Sequence, residues 1–208
     1  MKKAYIIGVI IVVAIGGYVL IKNSNKVEYI KPEVSRPVAG NEGASIVLKE
    51  YSDYQCPACG AAHPVVKQVL TEFGDEVRFE MYHFPLISIH PFAFNAAVAS
   101  ECSNDQGKFW EMHDMLFANQ RSLTLGDLNN YADQIGLDKE LYSACMASGA
   151  HRKRVNDNIS QGNALGVNST PTFFLNNQKV DNWASLPVLI QMAINEQNQP
   201  EDGDEGEE

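Results

Sequence analysis

Apolar and polar positions follow two different periods along this chain, and the changes of period mark its elements. An uncharged apolar run, Ala4 to Ile21, follows Met1-Lys2-Lys3. Residues 23–43 are polar, hold Pro32 and Pro37, and keep no period, as expected of a tether. Ser45-Ile46-Val47-Leu48-Lys49-Glu50-Tyr51 then reads as a strand with an apolar, β-branched core. From Ala58 to about Phe73 the spacing is helical, with Ala61, Val65, Val69 and Phe73 on one stripe and Val66 and Leu70 widening it. Gly74-Asp75 marks a turn, and Val77 to Tyr82 alternates as a second strand stopped by Pro85. Strand, helix and strand at these lengths predict a βαβ unit with parallel strands.

Between His90 and Leu165 the period is helical with several breaks. Five helices are expected there: one alanine-rich to Cys102, one carrying Phe109, His113, Leu116 and Phe117, and one carrying Leu128, Ala132 and Ile135. A fourth is N-capped by Asp138, and a fifth carries Val155 and Ile159. Strand pattern resumes at Thr172-Phe173-Phe174-Leu175, turns at Asn176-Asn177 and returns through Lys179-Val180. A last helix places Leu186, Leu189, Ile190 and Ala193 on one stripe. The class is therefore α/β, with an all-helical insert and no internal repeat.

The 208 residues, 45% hydrophobic, suffice for one good core plus appendages. A formal charge of −10 changes the picture only until it is located. Six of the 26 acids, Glu201, Asp202, Asp204, Glu205, Glu207 and Glu208, lie in a Gly-interleaved tail, leaving 20 acids against 16 bases. The tail at 199–208 reads as a disordered, solvated end. Nucleic-acid binding would need a basic stripe, and none is present. The apolar run is short for a membrane span and long for the core of a signal peptide, and it continues past the small residues Ala14 and Gly16. We read residues 1–22 as an uncleaved signal anchor, the alternative being a cleaved signal peptide; Lys2 and Lys3 stay cytoplasmic, so that the domain at 44–198 faces the extracytoplasmic side.

Cys56-Pro57-Ala58-Cys59 sits where the first strand hands over to the first helix. Pro57 suits the first helical position. Cys56 then lies at the helix N-terminus, beside unpaired N–H donors and the positive end of the dipole, which favours the thiolate. Cys59, one turn on, can close a bond to it. A lone C-x-x-C can also be half a zinc site or two small buried residues, but its place between strand and helix favours redox chemistry.

Three segments occur in order: Tyr51-Ser52-Asp53-Tyr54-Gln55-Cys56-Pro57-Ala58-Cys59, then Gly107-Lys108-Phe109-Trp110-Glu111-Met112-His113, then Ser169-Thr170-Pro171-Thr172-Phe173-Phe174. Together they resemble the DsbA-like branch of the thioredoxin superfamily, over roughly residues 45–198. The resemblance implies a thioredoxin fold interrupted by a helical subdomain at about 88–166. It makes Cys56 the nucleophile, Cys59 the resolving thiol and Pro171 a cis-proline facing them, with Thr170 and Pro171 docking the substrate. It also puts Glu50 where such proteins carry a buried acid, able to shuttle the Cys59 proton.

In an oxidising compartment Cys102 and Cys145 are expected to form a structural disulfide, as in some relatives, the alternative being two buried thiols. No cofactor beyond the Cys56–Cys59 pair is expected. His63, His83, His90, His113 and His151 form no H-x-x-x-H or H-E-x-x-H pattern, so no metal site is expected. Phe109 and Trp110 read as core of the insert. The expected function is a membrane-anchored, monomeric thiol:disulfide oxidoreductase that oxidises folding secreted or envelope proteins and is recharged by a membrane-embedded thiol oxidase. A reductase or isomerase is the alternative within the class, and a non-catalytic binding module the alternative outside it.

Overall fold

The computed structural model describes residues 29–198. The anchor expected at 1–22, the start of the tether and the acidic tail lie outside the described residues. Among the described residues no helix is long and apolar enough to cross a membrane.

The centre of the fold is a five-stranded sheet. Its strands are β1 (Val38–Gly40), β2 (Ile46–Ser52), β3 (Val77–His83), β4 (Thr172–Leu175) and β5 (Gln178–Val180), in the order β1-β3-β2-β4-β5. Strands β2 and β3 are parallel and joined through helix α1 (Pro57–Phe73); the other pairings are antiparallel. Leu48 sits opposite Phe79 on one side and Leu175 on the other, so β2 is the central strand. The turn from β4 to β5 uses Asn176 and Asn177, both at positive φ, a conformation asparagine tolerates better than most residues.

Two sequence expectations change here. The tether expected at 23–43 joins the sheet at its end, because Val38–Gly40 pairs antiparallel with Arg78–Glu80. Three residues are too few to show a period; the pairing comes from the partner strand. Arg36, just before β1, lies 3.8 Å over the Tyr82 ring and donates to the Met81 carbonyl at 3.2 Å. The stripe of α1 is also rotated from the expected one. Its buried residues are Cys59, Ala62, Val66 and Val69, while Ala61 is exposed. The helix presses Cys59 inward, and that turns Ala61 out.

The insert holds α2 (Ala93–Asn104), α3 (Phe109–Ala118), α4 (Leu125–Gln134), α5 (Lys139–Ser148) and α6 (Arg152–Ala164). Helix α2 is covered on nearly all sides, as its run of alanines and serines allows. Helix α4 starts with a reciprocal capping box between Thr124 and Asp127, and Asp138 caps α5 by accepting from the Leu141 N–H. Cys102 of α2 and Cys145 of α5 are disulfide-bonded, 43 residues apart in sequence. Buried Glu101 takes Arg154 Nη1 at 2.8 Å and His83 Nε2 at 3.1 Å, which ties α2 to α6 and to β3. Burial would raise the Glu101 pKa, but His83 and Arg154 hold it below the usual range.

One face of the sheet carries Tyr51, Tyr82, Phe84 and Phe174, with Tyr51 stacked on Tyr82 at 4.9 Å between centroids. Helix α6 closes over this cluster through Ile159 and Gly162. A β-carbon at Gly162 would lie 2.8 Å from Phe84 and 3.0 Å from Tyr51, so only glycine permits this approach. Trp110 is only half-buried; it packs on Phe79 and donates its indole N–H to the Val38 carbonyl, joining insert to sheet instead of filling the insert core. Helix α7 (Leu186–Gln197) follows a short 3₁₀ turn and completes the chain as described.

Candidate active site

Helix α1 starts at Pro57, with Cys56 as its N-cap in extended conformation and no side-chain cap of its own. The first helical bond runs from the Gly60 N–H to the Cys56 carbonyl, 3.1 Å. The loop before it is held by Asp53, which is buried. Its Oδ1 accepts from the Gln55 N–H at 2.7 Å, and its Oδ2 accepts from the Leu86 N–H and from His90 Nδ1, both at 2.8 Å. Gln55 in turn accepts from the Phe92 N–H at 2.9 Å. From the insert, Gln120 donates its amide to the carbonyls of Tyr54, at 3.1 Å, and Cys56, at 2.7 Å. The absence of a side chain at Gly60 makes room for it: a β-carbon there would collide with Gln120 Oε1.

Cys56 and Cys59 are free thiols in this structure, and Cys56 is only 7% exposed, more covered than a bare helix terminus would be. The Thr170–Pro171 bond is cis, and Cys56 Sγ lies 3.3 Å from the Thr170 carbonyl oxygen. The Cys56 pKa is lowered to about 5. The hydrogen bond from the Cys59 thiol acts most strongly; the Thr170 side chain and the N–H groups of Cys59 and Ala58 add to it, and burial opposes them. The buried Thr170 hydroxyl makes no hydrogen bond with the described residues, which leaves it available to the thiolate. Cys59 moves the opposite way: burial raises its pKa, and the bond to Cys56 and the charge of Glu50 raise it further. One sulfur is thus held as a thiolate and the other as a thiol.

Glu50 lies on β2 below the cysteines, 2% exposed, and burial pushes its pKa up to about 7. Its Oε1 accepts from the Ser52 hydroxyl at 2.6 Å, and Ser52 also acts on Cys59, lowering its pKa against the larger effect of burial. Sequence reasoning singled out the carboxylate and missed this hydroxyl. The signal was present, since residues two apart on a strand share a face. Gln120 had no such signal, because it is brought to Cys56 by the packing of the insert. Of the other predicted residues, Cys102 and Cys145 lie bonded inside the insert, away from this cluster.

The arrangement offers what thiol–disulfide exchange requires: a nucleophilic thiolate, a partner thiol, and a group near neutrality that can give or take the second proton.

A family model described as Thioredoxin matches residues 33–195. A thioredoxin-like oxidoreductase from Silicibacter pomeroyi superposes with a TM-score of 0.69 at 23% identity, over 77% of this chain and 92% of that one. BdbD from Bacillus subtilis, in its oxidised form, gives 0.69 at 22% identity over 83% of this chain and 100% of its own. A curated protein of Mycobacterium sp. (strain KMS), named Na(+)/H(+) antiporter NhaA 1, is 42% identical over 144 residues; these are 68% of this chain but 24% of that protein. The chain therefore spans about a quarter of the length of that relative. The family match runs through all five strands and both ends of the site, and on that ground the chain belongs to the thioredoxin family, with the fold of its DsbA-like thiol:disulfide oxidoreductases.

Proposed function

We propose that the protein is a thiol:disulfide oxidoreductase that introduces disulfides into secreted or envelope proteins through the Cys56–Cys59 pair. A substrate thiolate attacks Cys56 Sγ of the oxidised pair, and Cys59 leaves, taking its proton from Glu50 through Ser52. A second substrate thiolate then attacks the substrate sulfur of the mixed disulfide, and Cys56 leaves as a thiolate. Two electrons have passed from the substrate dithiol to the enzyme. Thr170 and Pro171 form the edge along which an extended substrate lies, pairing through its main chain and leaving its side chains free to vary.

What supports the oxidising direction is the placement of Cys56 as the N-cap of α1 beside Thr170, where the Cys59 thiol and neighbouring donors lower its pKa to about 5. Stabilising the thiolate stabilises the reduced enzyme, so the disulfide becomes the stronger oxidant. In this fold such values run from roughly 7 in the reductant thioredoxin to about 3.5 in a strong oxidant, and this site lies between them. The Cys102–Cys145 bridge supports an extracytoplasmic setting, since such bonds persist in oxidising compartments. The apolar run after Lys2-Lys3 supports an anchor in the same membrane that would hold the recharging thiol oxidase. Antiport is not proposed, because the likeness to the antiporter covers only 24% of that protein.

Equilibration of the full chain with glutathione tests the direction. A potential well above that of thioredoxin, roughly −270 mV, together with reactivation of a reduced, unfolded secreted protein, is the expected result. A potential at or below that value would make it a reductase, and a pair that glutathione does not reduce would make it a structural staple.

A further inference from the structure

Away from the cysteines, α1 and α3 bring together His63, His113 and Asp114 around a cavity of about 160 Å3. Val66, Leu70, Phe79 and Trp110 wall it with apolar surface. One nitrogen from each histidine and one carboxylate oxygen lie within 4.8 Å of one another. We propose that His63, His113 and Asp114 form a binding site for a divalent transition-metal ion of the zinc type, with a fourth position left to water. This site is separate from the exchange chemistry and does not depend on it.

Three features carry the assignment. For bonds of about 2.0 Å, the edge of a ligand tetrahedron is about 3.3 Å, and two imidazoles on one ion have centroids about 5 Å apart. His63 Nε2 is 3.2 Å from Asp114 Oδ1, and the two rings are 5.1 Å apart. Tyr54 Oη lies 3.1 Å from His113 Nδ1 inside the core, the kind of bond that fixes the ring of a metal-binding histidine and leaves Nε2 for the ion. Two imidazoles and a carboxylate suit zinc, cobalt, nickel or copper, whereas magnesium and calcium take oxygen.

Lys67 is the competitor. Its Nζ lies 2.6 Å from Asp114 Oδ2, leaving Oδ1 toward His63, and both side chains are about half exposed at the mouth of the cavity. An ion entering there works against the lysine charge.

The test uses the full-length protein with both cysteine pairs oxidised, so that no thiol can chelate, in excess Mg2+ to fill oxygen-only sites such as those of the acidic tail. Titration with CoCl2 should give one equivalent of bound ion with visible ligand-field absorption, displaced by ZnCl2. His63→Ala and Asp114→Asn, both at the rim, should each raise Kd at least tenfold, and Lys67→Ala should lower it. Zinc should raise the thermal midpoint of the wild type but not of the two rim variants. No cobalt bound under these conditions, or a Kd unchanged in both rim variants, would overturn the proposal.

Discussion

Replacing Glu50 with glutamine removes a charge from the core while keeping the side chain's shape and its bond to Ser52. Folding raises the pKa of this group from 4.5 to about 7, so the folded protein holds the proton more tightly than the unfolded chain. The stability from protonated Glu50 is fully present below about pH 4.5 and is lost as pH rises through 7. A shift of that size corresponds to about 3 kcal/mol between pH 4 and pH 8. Glu50→Gln cannot lose it, so the variant should gain about 3 kcal/mol on the wild type across that interval. Urea unfolding of the reduced proteins at half-unit steps of pH measures the difference, and titrations elsewhere cancel in the comparison. The Cys56 charge contributes to the shift but ranks below burial, so most of the effect should persist in the oxidised form. At pH 7 the same variant lacks a group to carry the Cys59 proton, and single-turnover formation of the mixed disulfide should slow by roughly 10²-fold. Parallel stability profiles, differing by less than about 1 kcal/mol over the interval, would refute the buried-carboxyl argument whatever the kinetics showed.

Alkylation of the reduced protein by iodoacetamide should label Cys56 with a midpoint near pH 5 and leave Cys59 unmodified through neutrality; labelling of Cys59 first would reverse the assignment. With disulfide-bonded substrates, attacked by the Cys56 thiolate, Cys59→Ser should accumulate mixed disulfides and Cys56→Ser should not, as read on non-reducing gels. Changing Cys102 and Cys145 together to alanine should lower stability by up to about 4 kcal/mol, from a loop closed over 43 residues, and leave the rate of exchange at Cys56 near the wild type. Gly162→Ala should cost roughly 1–3 kcal/mol in denaturant unfolding, because its methyl group meets Phe84 and Tyr51.

The position of Cys56 at a helix N-terminus was legible in the sequence because its determinants are local. A strand, a C-x-x-C with proline at the first helical position, and a helical stripe lie within thirty residues, and their order predicts a thiol at a helix N-terminus. The five helices of the insert were legible for the same reason, from apolar spacing and from breaks at Gly136 and Asp138. What tertiary structure alone decided is which groups meet across long stretches of chain. The β1 strand has too few residues to show a period and is ordered by pairing with β3. Gln120 reaches the Cys56 carbonyl across 64 positions, and Thr170 reaches its sulfur across 114. His63 and His113 have no ligand spacing in sequence and converge only because α1 packs on α3. Residue type and period set what each segment can do; proton affinities depend on burial and on neighbours, and those exist only once the segments have packed.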